Sequence, residues 1–134
     1  MDFLVEEIDA LAVFTVNLKH ATFLESNAIK GLLDNYYNSG FIQYVVDLSQ
    51  CEYIDPAFLS SLIIFLRTIV TKGGTIRIVK PVLGISLVFL RNDSVRIFDM
   101  FDSRDDAIKS FKKNLKITLF NGSSYNNENL ISNM

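Results

Sequence analysis

The chain has 134 residues, of which 49% are hydrophobic and 21% are charged, a balance typical of one soluble globular domain. Its 13 basic and 15 acidic residues give a formal net charge of −2, and the sequence has no basic stripe, which argues against nucleic acid as the main partner. Cys51 is the only cysteine, so an internal disulfide is excluded, and the longest apolar runs are too short to span a membrane. Acidic residues near the N-terminus are unlike a signal peptide, so we expect a cytoplasmic protein without direct membrane insertion.

The first half of the chain is predicted to form a strand pair, a helix and a buried strand. Residues 3–8 and 11–17 are rich in β-branched and aromatic side chains, which favours two short strands. A helical segment follows and ends at Gly40, and its apolar side is predicted to carry Leu24, Ala28, Leu32 and Tyr36. Residues 41–49 form a compact apolar run, which is typical of a central strand.

The second half continues the alternation of strands and helices. Residues 56–72 give the strongest helical pattern in the chain, and a pair of glycines ends it before a predicted strand at 75–80. A short helix at 83–92, a short strand at 96–101 and a helix at 103–112 follow. This order predicts an α/β fold with a mostly parallel sheet of four to five strands, helices packed on it, and an antiparallel N-terminal strand pair.

The C-terminal segment differs in composition from the rest. Residues 114–120, NLKITLF, could still form a strand or a packed arm, whereas residues 121–134 are rich in Asn and Ser and poor in apolar side chains. We therefore expect a folded domain over residues 1–112 and a partly disordered extension over 113–134.

The start of the helix at 56–72 is well specified by its sequence, YIDPAFLSSL. Asp55 is placed to act as N-cap, where its carboxylate accepts a hydrogen bond from a backbone N–H of the first turn. Pro56 falls at the first helical position, where its missing N–H costs nothing.

The two faces of this helix predict different environments. At 100° per residue, the core face consists of Leu59, Leu62, Ile63, Leu66, Ile69 and Val70, with Phe58 and Phe65 at its edge. The opposite face consists of Ala57, Ser60, Ser61, Ile64, Thr68 and Thr71. A helix face turned to water usually carries charges, whereas this face is neutral until Arg67 and Lys72 near the helix end. The neutral part predicts contact with another protein, although single exposed apolar residues are also ordinary.

No other residue pattern predicts catalysis or a metal site. Asp47 follows a buried strand, but the acidic pair of a phosphoacceptor enzyme is missing, so it is interpreted as a carboxylate that ties down the following loop. His20 is the only histidine and has no partner at metal-ligand spacing, and Cys51 has no basic neighbour to activate it. We expect no cofactor, no metal and no enzymatic activity.

The segment YVVDLSQCEYIDPAFLSSLIIFLRTIVTKGGTIRIVKP resembles the central part of the STAS domain, the anti-sigma factor antagonist family. The family pattern is a buried strand ending in Asp-Leu-Ser, a loop, Asp-Ser-Ser-Gly at a helix start, a long helix, two glycines and a strand. Downstream, residues 82–111 are similar to its closing helix, strand and helix. The resemblance covers roughly residues 3–112.

The resemblance assigns family positions to individual residues around the helix start. Asp55 matches the Asp that precedes the serines, and Pro56 stands at the first serine. Ala57 stands at the second serine, which an anti-sigma factor kinase phosphorylates in the family, and Phe58 stands at the glycine. The phosphoacceptor is therefore absent at Ala57. Ser60 lies further along the helix, where backbone N–H groups are already used, so it is a poor substitute, as is Ser61.

The resemblance implies a non-enzymatic protein-interaction module that cannot be phosphorylated at position 57. Its implied docking surface consists of Asp55, Ala57, Phe58, Ser61 and Ile64. The implied partner is an anti-sigma factor with a kinase fold. The alternative is an accessory STAS subunit of an ABC-type membrane transporter, or a scaffold of a signalling assembly, and the oligomeric state stays open.

Overall fold

The computed structural model describes residues 1–81 and 97–111. The predicted helix at 83–92, the first residue of the strand predicted at 96–101 and the extension at 113–134 lie outside the described residues. In chain order the elements are β1 (Phe3–Ile8), β2 (Leu11–Val16), β3 (His20–Ala21), α1 (Phe23–Asn38), β4 (Gln43–Asp47), β5 (Tyr53–Ile54), α2 (Pro56–Val70), β6 (Thr75–Val79), β7 (Asp99–Phe101) and α3 (104–111).

A five-stranded sheet with the order β1-β2-β4-β6-β7 forms the centre of the fold. β1 and β2 pair antiparallel, and every other neighbouring pair in this sheet is parallel. The predicted α/β architecture with an antiparallel N-terminal pair is therefore confirmed. β3 and β5 form a separate parallel ladder of two residues each, which the sequence pattern did not predict because it is too short to carry periodicity.

Helices lie on both faces of the sheet. α1 and α2 pack against each other, and their inner sides join the larger core cluster with Phe14, Tyr44 and Ile76. α3 covers the opposite face, where its Ala107 packs in a smaller cluster with Val45. Burying both faces explains why β2 is buried along its whole length, since α/β sheets are covered by helices on each side.

The end of α2 is determined by two glycines. Gly73 has a φ of +80°, a backbone conformation that side chains disfavour, and the N–H of Gly74 donates to the carbonyl of Ile69 at 3.0 Å. A Cβ at Gly74 would collide with the carbonyl oxygen of Ile42. The predicted helix stop is confirmed, and the second glycine also lets the start of β6 approach the start of β4.

The predicted apolar faces of the two long helices need correction. In α1, Leu24 and Ala28 are exposed, and the buried residues are Ile29 and Leu33. In α2, the predicted core residue Val70 is 57% exposed. Helical spacing gives a side chain's direction around the axis, but it does not tell whether another element lies opposite, and Val70 is the last residue of its helix.

Candidate functional site

Asp55 connects the starts of the two long helices. Its Oδ1 accepts a hydrogen bond from the N–H of Phe58 at 2.9 Å, so the predicted N-cap of α2 is confirmed. Its Oδ2 accepts a second hydrogen bond, also at 2.9 Å, from the N–H of Phe23, the first residue of α1. One carboxylate therefore satisfies backbone donors of both helix N-termini, where the helix dipoles favour negative charge.

Ala57, which the sequence resemblance aligns with the phosphorylated serine of the family, lies at the surface. Ala57 is exposed at the second position of α2, directly after Pro56. Free N–H groups and the helix dipole suit an anion at such a position, but the side chain here is a methyl group. Phosphorylation of a side-chain hydroxyl at this position is therefore chemically impossible.

Phe58 does not contribute to an exposed surface, so its predicted role in direct partner contact is wrong. Its side chain is 0% exposed and lies in the larger core cluster. Its ring stacks on Phe3 of β1, with 6.3 Å between centroids. The position lies at the edge of the helical arc, and burial of the large ring against the sheet decides its direction.

The outer face of α2 is exposed, and its side chains are neutral up to Ile64, as the spacing predicted, while the exposed Arg67 carries a charge one turn further on. Ile64 is 54% exposed, and Ser60 and Thr68 are exposed beside it. The hydroxyl of Ser61 donates to the carbonyl of Ala57 at 3.3 Å, and that of Thr68 donates to the carbonyl of Ile64 at 3.2 Å. Each of these two hydroxyls thus donates its hydrogen bond within the helix and does not need a water molecule as acceptor.

Three exposed apolar residues next to this helix start were not among the predicted site residues. Phe23 is 66% exposed and Leu24 is 73% exposed in the first turn of α1, and Tyr53 of β5 is 41% exposed. The ladder of β3 and β5 pairs Tyr53 with His20, and their rings lie 6.3 Å apart. The available signal was two bulky apolar residues directly after the capping Thr22, but the helical pattern assigned Leu24 to the core.

The remaining candidates have structural roles. Oδ1 of Asp47 accepts a hydrogen bond from the N–H of Ser49 at 2.9 Å, as expected for a carboxylate that ties down a loop. Cys51 is buried, and burial, with a smaller contribution from the Asp47 charge, raises the pKa of its thiol to about 12. Residues 1–81 and 97–111 contain no group of three His, Cys, Asp or Glu side chains able to hold a metal ion. Nor does any helix within these ranges have the length and apolar character to cross a membrane.

Neither a protein-family model nor a curated protein sequence matches this chain. Among solved structures, it is similar to a candidate anti-sigma factor antagonist of Thermotoga maritima, with 23% identity and a TM-score of 0.72 over 81% of this chain and 92% of that chain. An anti-sigma factor antagonist of Mycobacterium paratuberculosis matches with 18% identity and a TM-score of 0.71 over 81% of this chain and 91% of that one. A sulfate transporter family protein of Wolinella succinogenes matches with 15% identity and a TM-score of 0.69 over 81% and 90%. The chain has the STAS fold of the anti-sigma factor antagonists.

Proposed function

We propose that this protein is a non-enzymatic protein-interaction module that acts in the cytoplasm like an anti-sigma factor antagonist and lacks the phosphorylation switch. The observation that carries the proposal is the exposed outer face of α2, which is uncharged from the methyl group at position 57 to Ile64 and has its first charge at Arg67. Its contact residues are Ala57, Ser61 and Ile64, and Asp55 lies at the start of the same helix. An apolar side chain surrounded by small neutral residues resembles the centre of a protein interface more than a solvated helix face.

The proposed partner is an anti-sigma factor with a kinase fold. A phosphate at position 57 would place a charge of about −2 on this face and change its contacts. Because Ala57 has no hydroxyl, the partner cannot be released in that way, and the module is always in its binding form. The burial of Phe58 supports this proposal, because a large ring replacing the family glycine does not obstruct the surface.

An accessory role in a membrane transporter is the alternative. The similarity to a sulfate transporter family protein favours it, and such a role needs no phosphoserine. Affinity purification of the tagged protein from its native host discriminates between the two. An anti-sigma factor with an ATPase-type fold supports the first, and the ATPase subunit of an ABC transporter supports the second.

The substitution Ile64→Asp tests the contact surface. Ile64 is half-exposed, so we expect the free energy of unfolding to change by less than about 0.5 kcal/mol. A charge in a desolvated interface is costly, so we expect the affinity for the kinase-fold partner to fall by at least about tenfold. Urea unfolding and titration calorimetry measure the two effects.

Val70→Asp is the matched control. Val70 is also a β-branched residue of α2 with similar exposure, but it is the last residue of the helix and lies outside the proposed surface. We expect this variant to bind the partner normally. Normal binding by Ile64→Asp would contradict the proposed surface, and its unfolding would contradict the assignment of Ile64 to the outer face.

A further inference from the structure

Asp55 makes two hydrogen bonds to the chain around the start of α1, one through its backbone and one through its side chain. The backbone N–H of Asp55 donates to the carbonyl of Ala21 at 2.9 Å, next to the β3–β5 ladder. In the other direction, the carboxylate of Asp55 accepts the N–H of Phe23 at 2.9 Å. Both the backbone and the side chain of Asp55 thus bind the segment that leads into α1.

Phe23 depends on Asp55 because the cap of its own helix serves other donors. The hydroxyl of Thr22 accepts the N–H of Leu24 at 3.2 Å. The carboxylate of Glu25 accepts the N–H of Thr22 at 2.8 Å, which completes a capping box. The N–H of Phe23 is left outside this box, and it is satisfied by a side chain that lies 32 residues away in sequence.

The two helix starts that Asp55 joins carry exposed apolar side chains outside the core. Phe23 and Leu24 project from the first turn of α1 with more than half of their surface exposed. Ala57 and Ile64 lie on the exposed face of α2, which begins at the same carboxylate. The hydrogen bonds of Asp55 therefore fix the position of the exposed side chains of α1 relative to those of α2.

We propose that Asp55 is a positioning residue, whose carboxylate joins the first turns of α1 and α2 so that Phe23 and Leu24 extend the partner-binding surface of α2. This inference rests on the proposed function, since the surface is the one that contacts the protein partner. It changes the role of Asp55 from a direct contact to a residue that acts through its neighbours. Both carboxylate oxygens accept hydrogen bonds from the protein's own backbone, one from each helix start, as a positioning role requires.

Replacement of Asp55 by serine separates capping from positioning. Serine is a good N-cap, and its single oxygen can accept the N–H of Phe58. It is too short to accept the N–H of Phe23 at the same time. In Asp55→Ser we therefore expect amide hydrogen exchange at Phe23 to become at least about tenfold faster, while exchange at Phe58 stays within about threefold of the wild type.

Asp55→Ala is the control, and it should accelerate exchange at both amides because no side-chain acceptor remains. An unchanged exchange rate at Phe23 in Asp55→Ser would overturn the proposal. This measurement uses the free protein, so it does not depend on whether the proposed partner binds.

Binding to a purified anti-sigma factor of the host with an ATPase-type fold completes the test. We expect Asp55→Ser and Phe23→Ser each to weaken binding about tenfold, and the double variant to bind no more weakly than the weaker single variant. Losses that multiply in the double variant would show that Asp55 contacts the partner by itself, which overturns the positioning role. A wild-type protein that does not bind would contradict the proposed function, while the exchange result would still decide whether Asp55 joins the two helix starts.

Discussion

Phe58 and Ile64 are both bulky apolar residues of α2, yet the structure gives them opposite environments. Phe58 is fully buried and stacked on Phe3, whereas Ile64 has more than half of its side chain exposed. The sequence pattern identified the exposed face that contains Ile64, but it left Phe58 at the boundary between the two faces. The position of Phe58 around the helix axis could not show whether it is buried, since its burial depends on β1, a strand far away in sequence.

At the residue scale, we expect Phe58→Ala to lower the free energy of unfolding by about 3–5 kcal/mol, because it removes a fully buried ring and leaves a cavity. Urea-induced unfolding followed by circular dichroism measures this loss. Phe58→Leu is the control and should cost clearly less, since it keeps most of the apolar volume. A loss of less than about 1 kcal/mol for Phe58→Ala would contradict the core role of this residue.

At the element scale, α2 begins at Pro56 as its sequence predicts and ends at Val70, two residues before the predicted bound. Asp55 and Pro56 begin α2 and the glycine pair ends it, because caps are local and their residue types are specific. The hydrogen bond from the N–H of Phe23 to Asp55 was not predictable, since nothing in either local segment indicates that the other lies beside it. For the same reason, the sequence did not indicate that the first turn of α1 is exposed beside the start of α2.

Two glycines in different structural settings should respond in opposite ways to alanine. Gly31 lies exposed inside α1 with no atom near the position of a Cβ, so Gly31→Ala should raise the free energy of unfolding by about 0.5–1 kcal/mol. Gly74→Ala should lower it, because the new Cβ would collide with the backbone carbonyl of Ile42. Urea unfolding of both variants beside the wild type measures the difference. A stable Gly74→Ala protein would show that β4 and β6 can separate at this end without loss.

At the scale of the whole molecule, the order of strands and helices was enough to predict a mixed sheet with helices on it. Long apolar runs such as the one containing β4 indicate burial on both faces, and the antiparallel first pair follows from the short connection between β1 and β2. The β3–β5 ladder was not predictable, because two-residue strands have no periodic signal and are formed by tertiary contacts.

The core makes the stability of the whole protein sensitive to alkaline pH. Burial raises the pKa of the Cys51 thiol to about 12 and raises the pKa of the Tyr44 hydroxyl above its ordinary range. Both groups stay protonated in the folded protein at pH values where the unfolded chain loses their protons. The contribution of these groups to the free energy of unfolding is therefore fully present below the unfolded pKa of the thiol, about 8.5, and decreases as the pH rises above that value.

Urea unfolding at a series of pH values from 7 to about 10.5 measures this fall. We expect Cys51→Ala to flatten the first part of the curve and Tyr44→Phe to flatten the later part, since each removes one of the two groups. A stability that stays constant over this range in the wild type would contradict the buried, protonated state of both side chains.

The exposure of Ala57 has a consequence for how this protein can evolve. Every alanine codon becomes a serine codon by one change of its first base, and the methyl group of Ala57 touches no part of the core. The Asp55 cap is already in place beside it. A hydroxyl at position 57, which the resemblance aligns with the family's phosphorylated serine, is therefore one mutation away and is expected to leave the fold intact, whereas a glycine at position 58 would remove a core residue. A change in the codon for Ala57 can therefore add a hydroxyl without loss of stability, whereas a change in the adjacent codon, for Phe58, would destabilise the protein.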